Sequence, residues 1–109
     1  MAGRKSLDKL KDVIRERTKR TNGLSLLVTI GRLNSVLRGW FGYFKHSHWT
    51  TFRPLDSWIR MRLRSILRRR QGHRGRGRGR DHQRWPNIYF AEMGLYNLTT
   101  AHRLACQFR

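Results

Sequence analysis

The sequence predicts an all-α fold: a small three-helix core, a flexible Arg/Gly linker and a short helical C-terminal tail. Apolar residues recur at helical spacing in the long segments before residue 71, and no stretch sustains the apolar–polar alternation of a strand. Glycine, asparagine and proline separate these segments. We therefore expect a helical core over residues 1–71, a linker over 72–84 and a tail over 85–109 that packs back on the core.

The first helix is predicted over residues 6–20, with Ser6 as its N-cap. Its narrow apolar stripe consists of Leu7, Leu10, Val13 and Ile14. The helix ends in a basic cluster at residues 17–20, and cations suit the negative end of a helix dipole. The same charges make Arg17, Lys19 and Arg20 candidate contacts for an anion.

The second helix, from residue 24 or 25 to 44, carries the densest apolar run of the sequence. Its predicted core stripe is Leu26, Leu27, Ile30, Leu33, Leu37, Trp40, Phe41 and Phe44. Asn34 lies within the stripe, so we expect a core amide bonded to a neighbouring backbone. Another face carries Gly31, Gly39 and Gly42, each costing a helix about 1 kcal/mol relative to alanine. We expect another helix to approach closely there, and a nucleic-acid backbone is the alternative.

A third helix is predicted from near Pro54, which suits a first turn, to about Arg70. Its apolar face is Phe52, Leu55, Ile59, Leu63 and Ile66, flanked by Trp58 and Leu67. An arginine ridge on another face consists of Arg53, Arg60, Arg64 and Arg68. Arginines four apart destabilise a bare helix by roughly a few tenths of a kcal/mol per pair. Because nothing acidic relieves this ridge, we expect it to bind an anion.

Alternating glycine and arginine in the linker cannot bury a core, so we expect it to be disordered when free and to lie along phosphates when bound. The candidate contacts at the end of the third helix and in the linker are Arg69, Arg70, Arg74, Arg76, Arg78, Arg80 and Arg84. Trp85 is expected to pin the tail to the core, with base stacking as the alternative. A short helix ended by Gly94 and a last helix from residue 97 or 99 should complete the tail.

The charge balance points to a polyanionic partner. Twenty-five Lys and Arg residues face six Asp and Glu residues, a formal net charge of +19. Nucleic acid is the first candidate partner and an anionic membrane the weaker second. The single cysteine allows no internal disulfide, and neither a signal peptide nor a membrane-spanning run is expected.

The sequence predicts no catalytic site. Its six carboxylates are scattered, and no serine elbow or cysteine–histidine pair stands at a recognisable spacing. His46 and His48 lack neighbouring ligands, so we expect no metal and no cofactor. A histidine- and lysine-based ribonuclease stays open as an alternative, but the residues favour a binding protein.

Several blocks together resemble the maturase-specific domain of group II intron-encoded proteins, the C-terminal part of a reverse transcriptase/maturase. They are Arg17-Thr18-Lys19-Arg20, Leu33-Asn34, Leu37-Arg38-Gly39-Trp40, Tyr43-Phe44, Phe52-Arg53-Pro54-Leu55-Asp56-Ser57-Trp58-Ile59-Arg60 and Arg68-Arg69-Arg70. Arg84-Trp85-Pro86-Asn87 with Phe90-Ala91 and Gly94-Leu95 is similar to what often follows that domain. The motif residues it implies are Asn34, Gly39, Trp40, Tyr43, Phe44, Trp58 and Trp85.

The resemblance implies a helical, thumb-like domain that binds group II intron RNA and promotes its folding for splicing, the RNA being the catalyst. It places residues 17–20 and the basic third helix among the RNA contacts. The sequence has no Tyr-Ala-Asp-Asp motif and no cysteine-rich endonuclease region, so neither polymerisation nor DNA cleavage is expected.

A reverse-transcriptase polypeptide supplied in trans and DNA are further candidate partners. Because the sequence shows no targeting signal and has a single cysteine, the expected location is cytoplasmic, of bacterial or organellar type. The alternative function is that of a truncated remnant, a non-specific nucleic-acid-binding protein driven by charge alone.

Overall fold

The computed structural model describes residues 4–19, 23–44, 49–72 and 80–107, and all regular structure within these ranges is helical. The elements are α1 (Arg4–Arg17), α2 (Leu26–Phe44), α3 (Trp49–Arg70), α4 (Arg80–Arg84), α5 (Asn87–Glu92) and α6 (Leu98–Gln107). The predicted all-α fold class is confirmed. His46 and His48 lie outside the described residues, as do residues 73–79 of the predicted linker.

Helix α3 is the central element. It packs against α6 and α4, while α1 packs against α2. The consecutive residues Leu63, Arg64, Ser65 and Ile66 are all buried. Because successive helical residues turn by about 100°, this run means that α3 is covered on nearly all sides at that level. The core is therefore built around α3 by the elements before and after it in the sequence.

The predicted core stripes are largely correct. The core contains Leu10, Ile14, Leu26, Ile30, Leu33, Leu37, Phe52, Leu55, Ile59, Leu63 and Ile66. Leu27 is an exception, since 62% of it is exposed. Trp40, Phe41 and Trp58 are half-buried and pack against the core from its edge.

Two predicted helix starts are wrong. Helix α1 begins at Arg4, so Ser6 lies inside it and is not its N-cap. Helix α3 begins at Trp49, which places Pro54 in the helix interior rather than in the first turn. Proline gives up one backbone hydrogen bond there. The turn before it is held by packing instead, because Phe52 is buried between the rings of Phe41 and His102, at centroid distances of 5.9 and 4.9 Å.

The tail belongs to the same core. Trp85, Phe90 and Leu98 are buried in one cluster with the apolar residues of α1–α3, as the prediction for Trp85 requires. The linker, predicted over residues 72–84, is shorter at its C-terminal end than expected, because Arg80–Arg84 forms α4 and buries Asp81. Gly94, with a φ of +88°, ends the α5 turn in the left-handed conformation that glycine favours.

Asn34 joins α2 to the loop that follows α5. Its side-chain amide donates to the carbonyl of Gly94 at 2.7 Å, and its carbonyl oxygen accepts from the backbone N–H of Tyr96 at 2.7 Å. The predicted role, an amide bonded to backbone, is confirmed. The same loop stands against Arg38, whose guanidinium lies 5.5 Å from the Tyr96 ring centroid. Burial raises the pKa of the Tyr96 hydroxyl, and the Arg38 charge opposes that shift.

Asp56 joins α3 to α6. The carboxylate is buried, with 4% of the residue exposed. It accepts hydrogen bonds from the backbone N–H of Leu98 at 3.0 Å and of Thr99 at 2.8 Å. A negative charge at a helix N-terminus is favoured by the helix dipole. Asp56 therefore caps α6 from a different helix and fixes its start against α3.

The glycine face of α2 is open. Apart from its chain neighbours and the backbone of α2 itself, a Cβ atom placed on Gly31, Gly39 or Gly42 would meet no described atom within 4 Å. The predicted close approach of another helix is therefore wrong for the part of the chain that the structure describes. The glycines are not needed there for packing.

Replacing Asn34 by alanine should destabilise the fold by about 1–3 kcal/mol, because the backbone groups of Gly94 and Tyr96 lose their partner. Urea unfolding followed by circular dichroism measures the change. Ser35→Ala is the matched control, since Ser35 is exposed on the same helix and should change the free energy of unfolding by less than about 0.5 kcal/mol. Equal stability of the two variants would contradict the role given to Asn34.

Candidate nucleic-acid interface

The tail and α4 cover the middle of the arginine ridge, at Arg64 and Arg68. Arg64 is 2% exposed, and its Nε donates to the carbonyl of Trp85 at 2.8 Å. Its Nη2 donates to Oδ1 of Asn87 at 2.8 Å, and the guanidinium lies 5.3 Å from the Phe90 ring centroid. The prediction that Arg64 contacts RNA is therefore wrong, because its donors and its flat face are engaged inside the protein.

An acidic residue of α4, Asp81, does reduce the repulsion between the arginines of the ridge. Nη1 of Arg68 forms an ion pair with Oδ2 of Asp81 at 2.9 Å, and Asp81 is 1% exposed. The prediction overlooked Asp81 because it stands well outside the helical i, i+4 range. Arg68, predicted as an RNA contact, is thus an internal ion-pair partner with 31% of its side chain exposed. Burial lowers the pKa of Arg64, the Arg60 charge lowers it further, and the Asp81 charge raises it.

Arg53 and Arg60 are the part of the ridge that stays open. They line a cleft of about 490 Å³ between α3, α5 and α6. Arg103 of α6 lines the same cleft and was not among the predicted site residues. No local pattern could have found Arg103, because only the packing of α6 on α3 brings it beside Arg53 and Arg60.

A second group of cations surrounds Trp58 where α1 meets α3. The guanidinium carbons of Arg15 and Arg62 lie 5.3 and 5.4 Å from the ring centroid, and the ammonium of Lys11 lies at 5.9 Å. Nε of Arg62 also donates to the buried hydroxyl of Thr18 at 2.6 Å. These cation–π contacts give Trp58 a structural role in joining the two helices.

The predicted basic cluster at residues 17–20 is only partly open. Lys19 is exposed and forms a 3.1 Å ion pair with Glu16, which is also exposed. Arg17 is half-buried, and its Nε is buried without a hydrogen-bond partner among the described residues. Arg20 lies outside the described residues.

A basic end forms where α3 finishes. We use this name for Lys19, Arg69, Arg70, Arg80 and Arg84, all of which are exposed. Nη2 of Arg70 donates to the carbonyl of Leu24, which brings the α1–α2 connection to the end of α3. Nη1 of Arg84 donates to Oε1 of Gln71 at 3.3 Å, which ties α4 to the same end.

The remaining predicted residues divide into two sets. Gly39 is exposed and Trp40 is half-buried on α2, while Trp85 is buried under α3. The side chains of Tyr43 and Phe44 lie outside the described part of the chain. Residues 73–79 are also outside it, so the predicted contacts Arg74, Arg76 and Arg78 carry no structural account.

The acidic residues are unevenly placed. Asp8, Asp12 and Glu16 are exposed on α1, and Glu92 is exposed on α5. Asp56 on α3 and Asp81 on α4 are buried and hydrogen-bonded. The cleft and the basic end therefore present cations to solvent, and Glu16 is the one acid that forms a described ion pair with either group.

Two absences within the described ranges bear on the type of site. No group of three or more His, Cys, Asp or Glu side chains within the described ranges is arranged to hold a metal ion. In the same ranges no helix combines the length and the apolar character needed to span a membrane.

Replacing Arg64 by methionine should lower the free energy of unfolding by about 1–3 kcal/mol, because the carbonyl of Trp85 loses its donor. Amide hydrogen exchange should also accelerate over residues 87–107, since the tail loses its attachment to α3. Arg69→Met is the control, as Arg69 is exposed on the same helix. If both variants unfold at the same urea concentration and show the same amide exchange rates over residues 87–107, Arg64 does not hold the tail against α3.

Comparison with known proteins agrees with the resemblance seen in the sequence. No curated protein was found to match the chain. The family model of the group II intron, maturase-specific domain matches residues 7–85, which include most of α1, all of α2 to α4, the arginine ridge and the basic end. This match covers well over half of the sequence, and the chain belongs to the group II intron maturase-specific domain family.

Proposed function

We propose that the chain binds group II intron RNA and promotes the folding of that RNA for splicing, with the RNA as the catalyst. The observation that carries the proposal is the basic end, where exposed arginines from α3 and α4 stand together without a buried role. The side chains of Arg69 and Arg80 have no hydrogen-bond or ion-pair partner among the described residues, so they are available for phosphates. Membership of the family supports a group II intron as the RNA that is bound.

Phosphate binding suits this group better than a buried or structural role. Guanidinium groups form paired hydrogen bonds to phosphate oxygens, and an exposed arginine loses little solvation when it does so. At a formal charge of +19 the chain also repels itself, and a polyanion relieves that repulsion. Neutralising six to ten phosphates would give a slope of log affinity against log salt of roughly −4 to −9.

We propose a binding protein rather than an enzyme. The match is to the maturase-specific domain alone, and the acids near α3 are engaged in hydrogen bonds inside the fold. A reverse-transcriptase polypeptide in trans would extend the RNA contacts, and DNA is a further candidate ligand. The second candidate function is charge-driven binding of any nucleic acid, which the same net charge favours.

A competition assay distinguishes the two functions. Labelled group II intron RNA is challenged with excess unstructured RNA and with duplex DNA at near-physiological salt. The proposed function predicts that the intron RNA resists both competitors and that the chain accelerates its splicing. Equal competition by all three nucleic acids, without any effect on splicing, would leave only charge-driven binding.

The double variant Arg69→Gln, Arg80→Gln should weaken binding of intron RNA and make the salt slope shallower by about 1.4–1.8, because two phosphate contacts are lost. Filter binding between about 50 and 200 mM salt measures both quantities. The matched control is Lys9→Gln, Arg32→Gln, which removes the same charge from exposed positions on α1 and α2. An identical slope in the two variants would show that net charge, rather than the basic end, determines affinity.

A further inference from the structure

The cleft between α3 and the tail has the chemistry of a ligand site. Its volume of about 490 Å³ lies within the roughly 300–1,000 Å³ that is typical of pockets for small ligands. It lies on the opposite side of the covered arginines from the basic end. Part of its lining, from α5 and α6, lies beyond the residues that the family model matches.

The acceptors that line the cleft are already engaged. Both carboxylate oxygens of Asp56 accept hydrogen bonds from the start of α6. Oδ1 of Asn87 accepts from Arg64, and Oδ1 of Asn97 accepts from the backbone N–H of Thr100 at 2.7 Å. A ligand in the cleft therefore meets few free acceptors.

The guanidinium donors that line the cleft are largely free. The side chains of Arg53 and Arg103 have no hydrogen-bond or ion-pair partner in the described ranges. Nε of Arg60 is buried and unpaired there, and its Nη2 makes only a 3.3 Å contact with the Ser57 hydroxyl. A buried N–H without a partner is costly, so a ligand that accepts from Arg60 removes an existing penalty. The cleft thus suits an anionic ligand that is rich in acceptors.

An apolar wall faces these donors. Ile88 lines the cleft and is 60% exposed, an unusual position for a large aliphatic side chain on a short tail helix. Leu95 lies beside it, half-buried. The cleft therefore combines guanidinium groups with apolar side chains, which suits the phosphate and the base of a nucleotide.

We propose that this cleft binds a single unpaired nucleotide of the RNA, with its phosphate held by Arg53, Arg60 and Arg103 and its base against Ile88. The inference rests on the proposed function. An unpaired nucleotide fits better than a duplex, because bases inside an A-form helix are stacked and inaccessible to a concave site. A bulged or looped nucleotide exposes both its base and its phosphate.

The test uses the full chain and two RNA hairpins that differ by one bulged 2-aminopurine. The wild-type chain should bind the bulged hairpin more tightly than the fully paired one, and the 2-aminopurine fluorescence should change on binding. The double variant Arg53→Gln, Arg103→Gln should remove that preference while leaving the paired hairpin nearly unaffected. Ile88→Ser should reduce affinity for the bulged hairpin about fivefold to tenfold, because the base loses an apolar contact.

Arg69→Gln, Arg80→Gln is the matched control, because it removes the same charge from the basic end. It should weaken binding of both hairpins and keep the preference for the bulge. Circular dichroism checks that the cleft variants fold, which is expected because Arg53, Arg103 and Ile88 are exposed.

The outcomes separate this inference from the proposed function. If the cleft variants bind the bulged hairpin as tightly as the wild type does, the nucleotide site is wrong, even where intron RNA still resists competitors. If intron RNA loses the competition but the bulge preference depends on Arg53 and Arg103, the nucleotide site stands and the intron-specific function is wrong. Equal wild-type affinity for the two hairpins also overturns the nucleotide site.

Discussion

The buried guanidinium of Arg64 is the interaction on which the rest of the structure depends. A charged group removed from water must find partners for its donors, or the fold does not tolerate it. Here those partners are the carbonyl of Trp85, the side chain of Asn87 and the face of Phe90, all of which belong to the tail. The tail must therefore lie across the middle of α3. Once it does, Arg68 meets Asp81, and the centre of the arginine ridge is closed to any ligand.

This closure divides the cationic surface into two parts with different shapes. At the end of α3 the arginines are exposed to solvent, which suits contact with successive phosphates along a strand. At the start of α3, Arg53 and Arg60 face α5 and α6 across a cleft, which suits one small group. The buried acids are both engaged inside the fold, because Asp56 caps α6 and Asp81 pairs with Arg68. One internal arrangement thus accounts for both candidate surfaces.

Sequence reasoning identified what depends on local pattern. The apolar stripes, the role of Asn34 and the burial of Trp85 all follow from residue type and helical spacing, and the structure agrees. Prediction from the sequence failed where the outcome depends on contacts between residues that are distant in sequence. Spacing places Arg64 on a polar face, but only the tail decides whether that face meets solvent. Contacts distant in sequence also place Arg103 in the cleft, because α6 packs on α3. The start of α3 before Pro54 depends in the same way on the packing of Phe52. The single acid Asp81, in a run of arginines, was the one sequence signal for the covered ridge.

The region that the family model matches, residues 7–85, relies on later residues for some of its hydrogen bonds and core contacts. Three of its polar side chains, Asn34, Asp56 and Arg64, each bind groups that lie after residue 85. Phe90 and Leu98 also complete the apolar cluster around α3. Without those later residues, two helix-borne polar groups and a buried charge would lack partners, and each such loss costs about 1–3 kcal/mol. The segment after residue 85 is therefore part of the domain's folding unit. Because the same segment supplies Ile88 and Arg103, the fold and the proposed nucleotide site depend on the same packing of the tail against α3.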